Sequence, residues 1–599
     1  MPGFSSATLE NGVVLKRILF GTTLLVSVAI SLLSFRMPTV TPAGAPLHEF
    51  SAERAMAHVQ AVCQNPRPIG SEEITKAREY IVATITSLGL PARVQTTRVP
   101  DYFDMVPGET VEISNIFTVL QGTNPTGSIV LAGHYDSVPA SPGANDDGTA
   151  VAALLETTRS LLVGPPLRND VIVLFTDAEE PGQFRYGARF FVQEYEFLED
   201  IRLVLNLEAL GRTGPSIMFE TGEGNRWLIE GLNRAAPNPV AFSFMSDLYR
   251  NIAKGGTDFA AFDEVGIGGL NFAYAFERTV YHTALDNVES VDKRSLQHHG
   301  NNALGLARYY GTADLRTISD HEGDLVFHSL PGGIVIRYPA DRSIPLVTIC
   351  GILLLGLVIL GVINGRVNLG RMAIGVGVSS LEVLMIAIVL TLAWWGIDQL
   401  HLSFGTVVEP TVKAHLFLVA FLVLCLASMI ALRMWSSRRI GALNLAFGLV
   451  WFWWLLSLLA GIYLPGFNVV LTWPLLFALL PLGWKVLAAP PGGNSWPAFC
   501  SLLISTAAIL VLGCIPVYLF FQAMGIASPG FSGSPSFPII GFSMLFWTMI
   551  LGLLLPHIDL VGVTRCRSVL YALLALAGVL VIAASVLPGI PVDSFGLSG

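Results

Sequence analysis

Ser128-Ile129-Val130-Leu131-Ala132-Gly133-His134-Tyr135-Asp136 is the stretch on which the reading of this chain turns. An uncharged, mostly apolar run meets an imidazole and a carboxylate without a turn in between. The run does not alternate apolar with polar residues, so it reads as a strand buried on both faces. The pattern recurs. Val171–Thr176 leads into Asp177-Ala178-Glu179-Glu180, and Leu203–Leu207 leads into Glu208. Val111–Leu120, Ser216–Glu220 and Gly269–Ala273 are further strand candidates, the last followed by Tyr281-His282-Thr283. Helical stretches such as Ser71–Leu88 and Ser295–Tyr310 lie among them. Turn chemistry stands at Gly122-Thr123-Asn124-Pro125 and Gly211-Arg212-Thr213-Gly214-Pro215. Buried strands interleaved with helices predict an α/β domain over 46–320, with a mostly parallel or mixed sheet covered by helices on both faces.

In open α/β sheets ligands bind beyond the carboxyl ends of the strands. His134, Asp136, Glu179, Glu180 and Glu208 fall at such ends, and His282 follows the last strand. The loop Gly143-Ala144-Asn145-Asp146-Asp147-Gly148 opens a helical stretch beside them. Taken singly, a His after a strand, an Asp-Asp-Gly turn and a Glu-Glu pair are ordinary polar loop features. Their order and setting set them apart. Apolar strands that run straight into clustered carboxylates are costly unless something cationic pairs with them. A converging set of His, Asp, Glu, Glu and His has the composition of a two-metal hydrolytic site.

The rest of the chain is different in kind. Of 599 residues 52% are hydrophobic and only 13% are charged, against roughly 25% charged in an ordinary soluble domain. After residue 343 the only acids are Glu382, Asp398, Glu409, Asp559 and Asp593. The net charge of -9 leaves no basic footprint for nucleic acid. Cys63 is alone in the polar half, which excludes an internal disulfide and a thiolate metal cluster there. No Asn-x-Ser/Thr sequon has a permitted middle residue, which favours a bacterial source. Ile18–Phe35 is an uncharged apolar run after Lys16-Arg17 and reads as an uncleaved anchor. Ala43-Gly44-Ala45 resembles a signal-peptide cleavage site but lies far from the run and precedes Pro46. Further spans are expected near 345–364, 372–397, 414–432, 441–463, 467–484, 497–521, 537–557 and 568–587, nine with the anchor. Pro474 and Pro481 interrupt the span at 467–484. The chain thus divides into 1–45 (tail, anchor and linker), 46–320, a linker at 321–343, and an eight-span region at 344–599. With the N-terminus inside, the inner loops collect Arg366, Arg371, Arg433, Arg438, Arg439, Lys485, Arg565 and Arg567, and the short outer loops only Lys413. That bias places the 46–320 domain outside the cytoplasm.

The motifs HYDS (134–137), GANDDG (143–148), DAEEPG (177–182), NLEALG (206–211) and YHT (281–283), in that order, closely resemble metallopeptidase family 28 over about 50–312. The resemblance implies a zinc-exopeptidase-like fold and two Zn²⁺ ions. It implies that Asp146 bridges both, that His134 and Glu208 complete one site, and that Glu180 and His282 complete the other. Glu179 would be the general base on the activated water, passing the proton to the leaving amine. Asp136 would orient His134, and Tyr281 would donate to the developing oxyanion. Most relatives carry Asp where this chain has Glu208, a carboxylate on one more methylene. One anchor before the domain and eight spans after it resemble the endoplasmic-reticulum metallopeptidase and vacuolar membrane protease group. The implied function is a membrane-bound exopeptidase acting on peptides, foremost an aminopeptidase. Glutaminyl cyclase-like or carboxypeptidase activity, or a transporter or receptor with an accessory peptidase domain, are the alternatives. Glu382 is the one clear ionisable group in the spans that a transporter would use. The peptidase domain is expected in a bacterial periplasm, or in an endomembrane lumen in a eukaryote. The spans offer a surface for self-association.

Overall fold

The computed structural model describes residues 6–103, 110–181, 184–253, 256–317, 323–400, 412–487, 496–523, 537–554 and 567–586. Arg565, Glu409, Asp559 and Asp593 lie outside these. The chain forms two units, one of residues 35–340 and one of residues 1–34 with 341–599.

Eight strands make the sheet of the 35–340 unit: β1 (Arg93–Pro100), β2 (Thr110–Leu120), β3 (Ser128–His134), β4 (Asp170–Thr176), β5 (Ile201–Ala209), β6 (Ile217–Thr221), β7 (Val240–Ala241) and β8 (Gly269–Tyr274). Their order is β1-β2-β4-β3-β5-β8-β6-β7. The centre, β4-β3-β5-β8, is parallel. The pairs β1–β2, β2–β4 and β6–β8 are antiparallel, so the sheet is mixed. The central strands are buried on both faces, and alternate residues feed two cores. Ile129, Leu131, Val171, Val173, Leu203 and Leu205 pack into one. Val130, Ala132, Ile172, Leu174 and Val204 pack into the other.

Helices α2 (Ala52–Val62), α3 (Glu72–Ser87), α4 (Gly148–Leu162), α6 (Arg226–Ala235) and α9 (Lys293–Thr312) supply the first core; α5 (Tyr186–Glu194) and α8 (Phe259–Asp263) supply the second. The short α7 spans Ser243–Asp247. Local chemistry starts α2 and α3. Ser51 accepts from Arg54 N and Ser71 from Ile74 N, and Glu72 and Glu73 stand in the first turn of α3. Four strands were not legible in the sequence. β1 alternates at an exposed edge and β7 is only two residues long. β9 (Leu325–Leu330) and β10 (Ile334–Pro339) pair as an antiparallel hairpin inside the stretch read as linker, and Leu325, Phe327 and Val335 join the first core.

The second unit is helical: α1 (Ser6–Leu32), α10 (Ser343–Ile363), α11 (Leu369–Leu400), α12 (Val412–Ile440), α13 (Ala442–Tyr463), α14 (Asn468–Leu487), α15 (Trp496–Ala523), α16 (Phe537–Gly552) and α17 (Arg567–Val586). Among the described residues eight helices are long and apolar enough to cross a membrane. The expected span at 537–557 corresponds to α16, of 16 residues, whose apolar part Ser543–Gly552 is shorter than those eight. Pro474 and Pro481 do not break α14, which continues through both. Arg433 is not a loop residue. It lies within α12, fully buried, 3.7 Å from Glu382 Oε2 on α11.

Candidate metal centre

The parallel centre of the sheet brings its carboxyl ends into one row. His134 pairs with Thr176 at the ends of β3 and β4, so His134 and the 177–180 loop leave the sheet side by side. On β5, Glu208 lies opposite Ala273 of β8. After β8 the chain turns back and delivers His282 at φ 58. Ala178, at φ 61, bends the other carboxylate loop. Left-handed backbone in non-glycine residues costs free energy and concentrates where surrounding structure enforces a functional geometry.

Asp146 stands at the middle. Its Oδ1 is 3.2 Å from His134 Nε2, and its Oδ2 is 3.2 Å from His282 Nε2. Glu180 Oε2 is 3.1 Å from His282 Nε2. Glu208 Oε2 is 3.6 Å, and Glu179 Oε2 is 4.0 Å, from His134 Nε2. Asp136 faces His134 from behind, its Oδ1 3.4 Å from Nδ1. Its two oxygens also accept from the backbone N–H groups of Glu179 (3.2 Å) and Glu180 (3.0 Å). One carboxylate therefore positions both the imidazole and the neighbouring acidic loop. The Tyr281 ring stacks on the His282 ring at 3.8 Å, and the Arg278 guanidinium lies 5.5 Å over Tyr281. All eight residues singled out in the sequence thus fall in one cluster.

The charges of that cluster do not balance. Burial works against protonation of His134, yet the carboxylates of Asp136 and Asp146 hold its pKa well above the ordinary imidazole value. Burial also opposes ionisation of Asp146, but the two imidazoles outweigh it and bring the group to about 2. Burial first, and neighbouring carboxylates with it, push Glu179, Glu208 and Asp147 well above the carboxylate range. The cluster holds more buried acid than its own histidines neutralise. Both oxygens of Asp147 and Oε1 of Glu180 are buried without a hydrogen-bond partner among the described residues. Among the described residues, two sets of donor atoms are close enough to share an ion: His134, Asp146 and Glu180, and His134, Asp147 and Glu208. Imidazole and carboxylate donors in excess of local cations fit a divalent metal, which would return the raised carboxylates to their charged forms.

Several supporting residues were missed. Asp286 Oδ1 accepts from the Asn145 backbone N–H and side-chain amide, each at 2.7 Å, and Oδ2 from Asp146 N–H at 3.1 Å. It holds the loop that carries Asp146, and burial pushes it up to about 7. Its place four residues after His282 was the available signal. Arg67 is fully buried and donates to the carbonyls of Tyr135, Pro142 and Gly143, tying the β3 end to the same loop. No local pattern marks it. Asp177, inside the DAEEPG motif, faces away from the cluster and accepts from Ser114 N–H at 2.8 Å and from the Tyr135 hydroxyl at 3.3 Å.

Residues 115–307 match the sequence profile of Peptidase family M28. Endoplasmic reticulum metallopeptidase 1 of Rattus norvegicus is 31% identical over 313 residues, 49% of this chain and 34% of that protein. Vacuolar membrane protease of Yarrowia lipolytica is 27% identical over 430 residues, 67% of this chain and 41% of that protein. The chain spans between a third and a half of the length of these relatives. An aminopeptidase from Aneurinibacillus sp. strain AM-1 superposes at a TM-score of 0.37 with 17% identity, over 46% of this chain and 97% of that one. At that score the superposition adds nothing to what the sheet topology states.

Proposed function

We propose that the protein is a membrane-bound, zinc-dependent exopeptidase that removes N-terminal residues from peptides. The observation that carries this reading is Asp146, whose two carboxylate oxygens each face one of two histidines at 3.2 Å. A carboxylate so placed would be shared by two ions. We assign His134 and Glu208 to one and Glu180 and His282 to the other. Zinc suits this mixture of imidazole and carboxylate donors. When bound, two such ions polarise the scissile carbonyl and make a water acidic enough to be deprotonated near neutral pH. Glu179 is the carboxylate that takes the proton and hands it to the leaving amine. Its neighbours keep it at hand: Asp136 holds the Glu179 backbone N–H at 3.2 Å. The Tyr281 hydroxyl donates to the oxyanion, its ring set by the stack on His282.

The apolar helices anchor the enzyme, with the peptidase unit on the side away from the cytoplasm. Lys16-Arg17, and Arg366, Arg371, Arg438, Arg439, Lys485 and Arg567 at or near helix ends, support that orientation. Glu382 pairs with Arg433 and Ser436 within the bundle, which favours a structural use over a transport path.

The test is turnover of free and N-terminally blocked peptides by the purified protein, with metal analysis and with chelator. Two zinc ions per chain, cleavage of free peptides only, and loss of activity on chelation are expected. One zinc with cyclisation of N-terminal glutamine would establish a glutaminyl cyclase instead. Cleavage from the C-terminus would establish a carboxypeptidase. Orientation is read by an impermeant thiol reagent applied from outside, in a background lacking the native cysteines. A cysteine at the exposed Glu199 should react and one at the exposed Arg438 should not. The reverse pattern would invert the topology.

A further inference from the structure

We propose that a buried chain of side chains, Asn206 to Asn271 to Glu220, positions Glu208 as a metal ligand. It accounts for how this fold accepts a glutamate at 208, with its extra methylene. The inference rests on the metal reading above and assigns to three further residues a role in holding one of the ions.

Asn206 and Glu208 are two apart on β5, so their side chains leave the same face. The Asn206 amide N–H donates to Glu208 Oε1 at 3.0 Å, while Glu208 Oε2 is the oxygen that points at His134. One oxygen is held and the other is aimed. Asn206 sits directly opposite Asn271 on β8 and also donates to its Oδ1 at 3.1 Å. Asn271 in turn donates to Glu220 Oε2 on β6, and to Thr257 Oγ1, each at 2.8 Å. Asn206, Asn271, Glu208 and Glu220 are all buried. Each amide has one acceptor and one donor end, so the carboxylate of Glu220 fixes which way the Asn271 amide faces. The Asn271 oxygen then faces Asn206, whose nitrogen must point toward Glu208. A rotated Asn206 amide would set its oxygen against the carboxylate.

A purely structural polar bridge between strands would lower stability without choosing between two ions. A positioning role loosens one of them. Partners of this kind change metal affinity by about 10–100-fold when removed. The measurement is zinc content of the full-length protein dialysed against graded chelator, with thermal unfolding of the same samples. In Asn206→Ala one zinc should leave at a chelator concentration about 10–100-fold lower than in the wild type, the other at the wild-type concentration. Asn206→Asp, the same size with a repelling oxygen, should do likewise and serves if the alanine variant does not fold. Glu220→Leu should act in the same direction but less. Glu220→Gln, which still accepts from Asn271, should match the wild type. With Glu208→Ala already in place, Asn206→Ala should no longer affect zinc retention, because coupled partners are non-additive. Wild-type retention in a folded Asn206→Ala or Asn206→Asp would overturn the proposal. So would an undiminished effect of Asn206→Ala when Glu208 is alanine. A wild type that binds no zinc would sink the metal reading itself, and the two failures are therefore distinct.

Discussion

The two units of this chain bury charge in opposite ways. In the apolar unit Glu382 and Arg433 lie 3.7 Å apart, with Ser436 donating to the same carboxylate at 2.7 Å. The two opposite charges of the pair offset one another within the fold. In the peptidase unit Asp146, Asp147, Glu179, Glu180 and Glu208 crowd around two histidines, and burial drives four of these acids, all but Asp146, toward their neutral forms. A buried charge that is matched within the fold holds helices together, whereas a buried excess of one sign is a site for something from outside. Desolvation makes the second arrangement expensive in the absence of a cation, and so it marks function rather than stability.

The sharpest way to break this contrast is to remove the shared carboxylate. Asp146→Ala should loosen both ions at once and bring peptide turnover down to the chelated background, as metal analysis and rate assays on one preparation would show. Unchanged zinc content would end the bridging assignment. Glu179→Gln separates charge chemistry from metal binding. It should keep zinc while turnover falls by about 10²–10⁴-fold, the usual contribution of a general base. Near-normal turnover would remove Glu179 from the mechanism.

The apolar unit should respond in stability instead. Arg433→Leu leaves the buried carboxylate of Glu382 with its main cation gone, and should cost about 3–5 kcal/mol, read from thermal unfolding in detergent. Replacing Glu382 and Arg433 both by leucine should recover most of that loss, because an apolar pair has no charge to bury. A double variant as unstable as the single one would give the pair a role beyond mutual neutralisation.

An effect confined to acid pH concerns a titratable group outside the cluster. His328 is fully buried between Phe242 and Phe244, with ring centroids 5.0 and 6.3 Å away. Neither ring nitrogen has a hydrogen-bond partner among the described residues. Burial lowers its pKa from 6.5 to about 3. The unfolded chain then binds a proton that the folded chain does not between those values. The stability of the folded form is full above pH 6.5 and falls as pH drops toward 3, by at most about 1.4 kcal/mol per pH unit for one group. His328→Phe should flatten that acid limb in denaturant unfolding at stepped pH, and an unaltered limb would show that other groups set it.

By itself the sequence determined the two-part character of the chain, six of the strands, and the cluster of eight residues. Those features are written locally, in runs of apolar residues and in the polar residues that end them. β1 and β10 are exposed or half-buried along most of their length and β7 has only two residues, so they carry too few buried positions to show a period, whereas β9 is buried along five of its six residues and shows no alternation. The sequence placed Arg433 in a loop because a cation at the end of an apolar run is ordinarily there. Only the tertiary structure set Glu382 against it, from 51 positions earlier in the chain. The same holds for Asp286 on the Asp146 loop, for Arg67 beneath it, and for Asn206, Asn271 and Glu220 behind Glu208. These contacts join different strands and loops, and hydrogen-bond partners far apart in sequence leave no periodic trace. Chemistry at the end of a strand can be read from the strand, whereas what holds that chemistry in place depends on which strands the fold brings side by side.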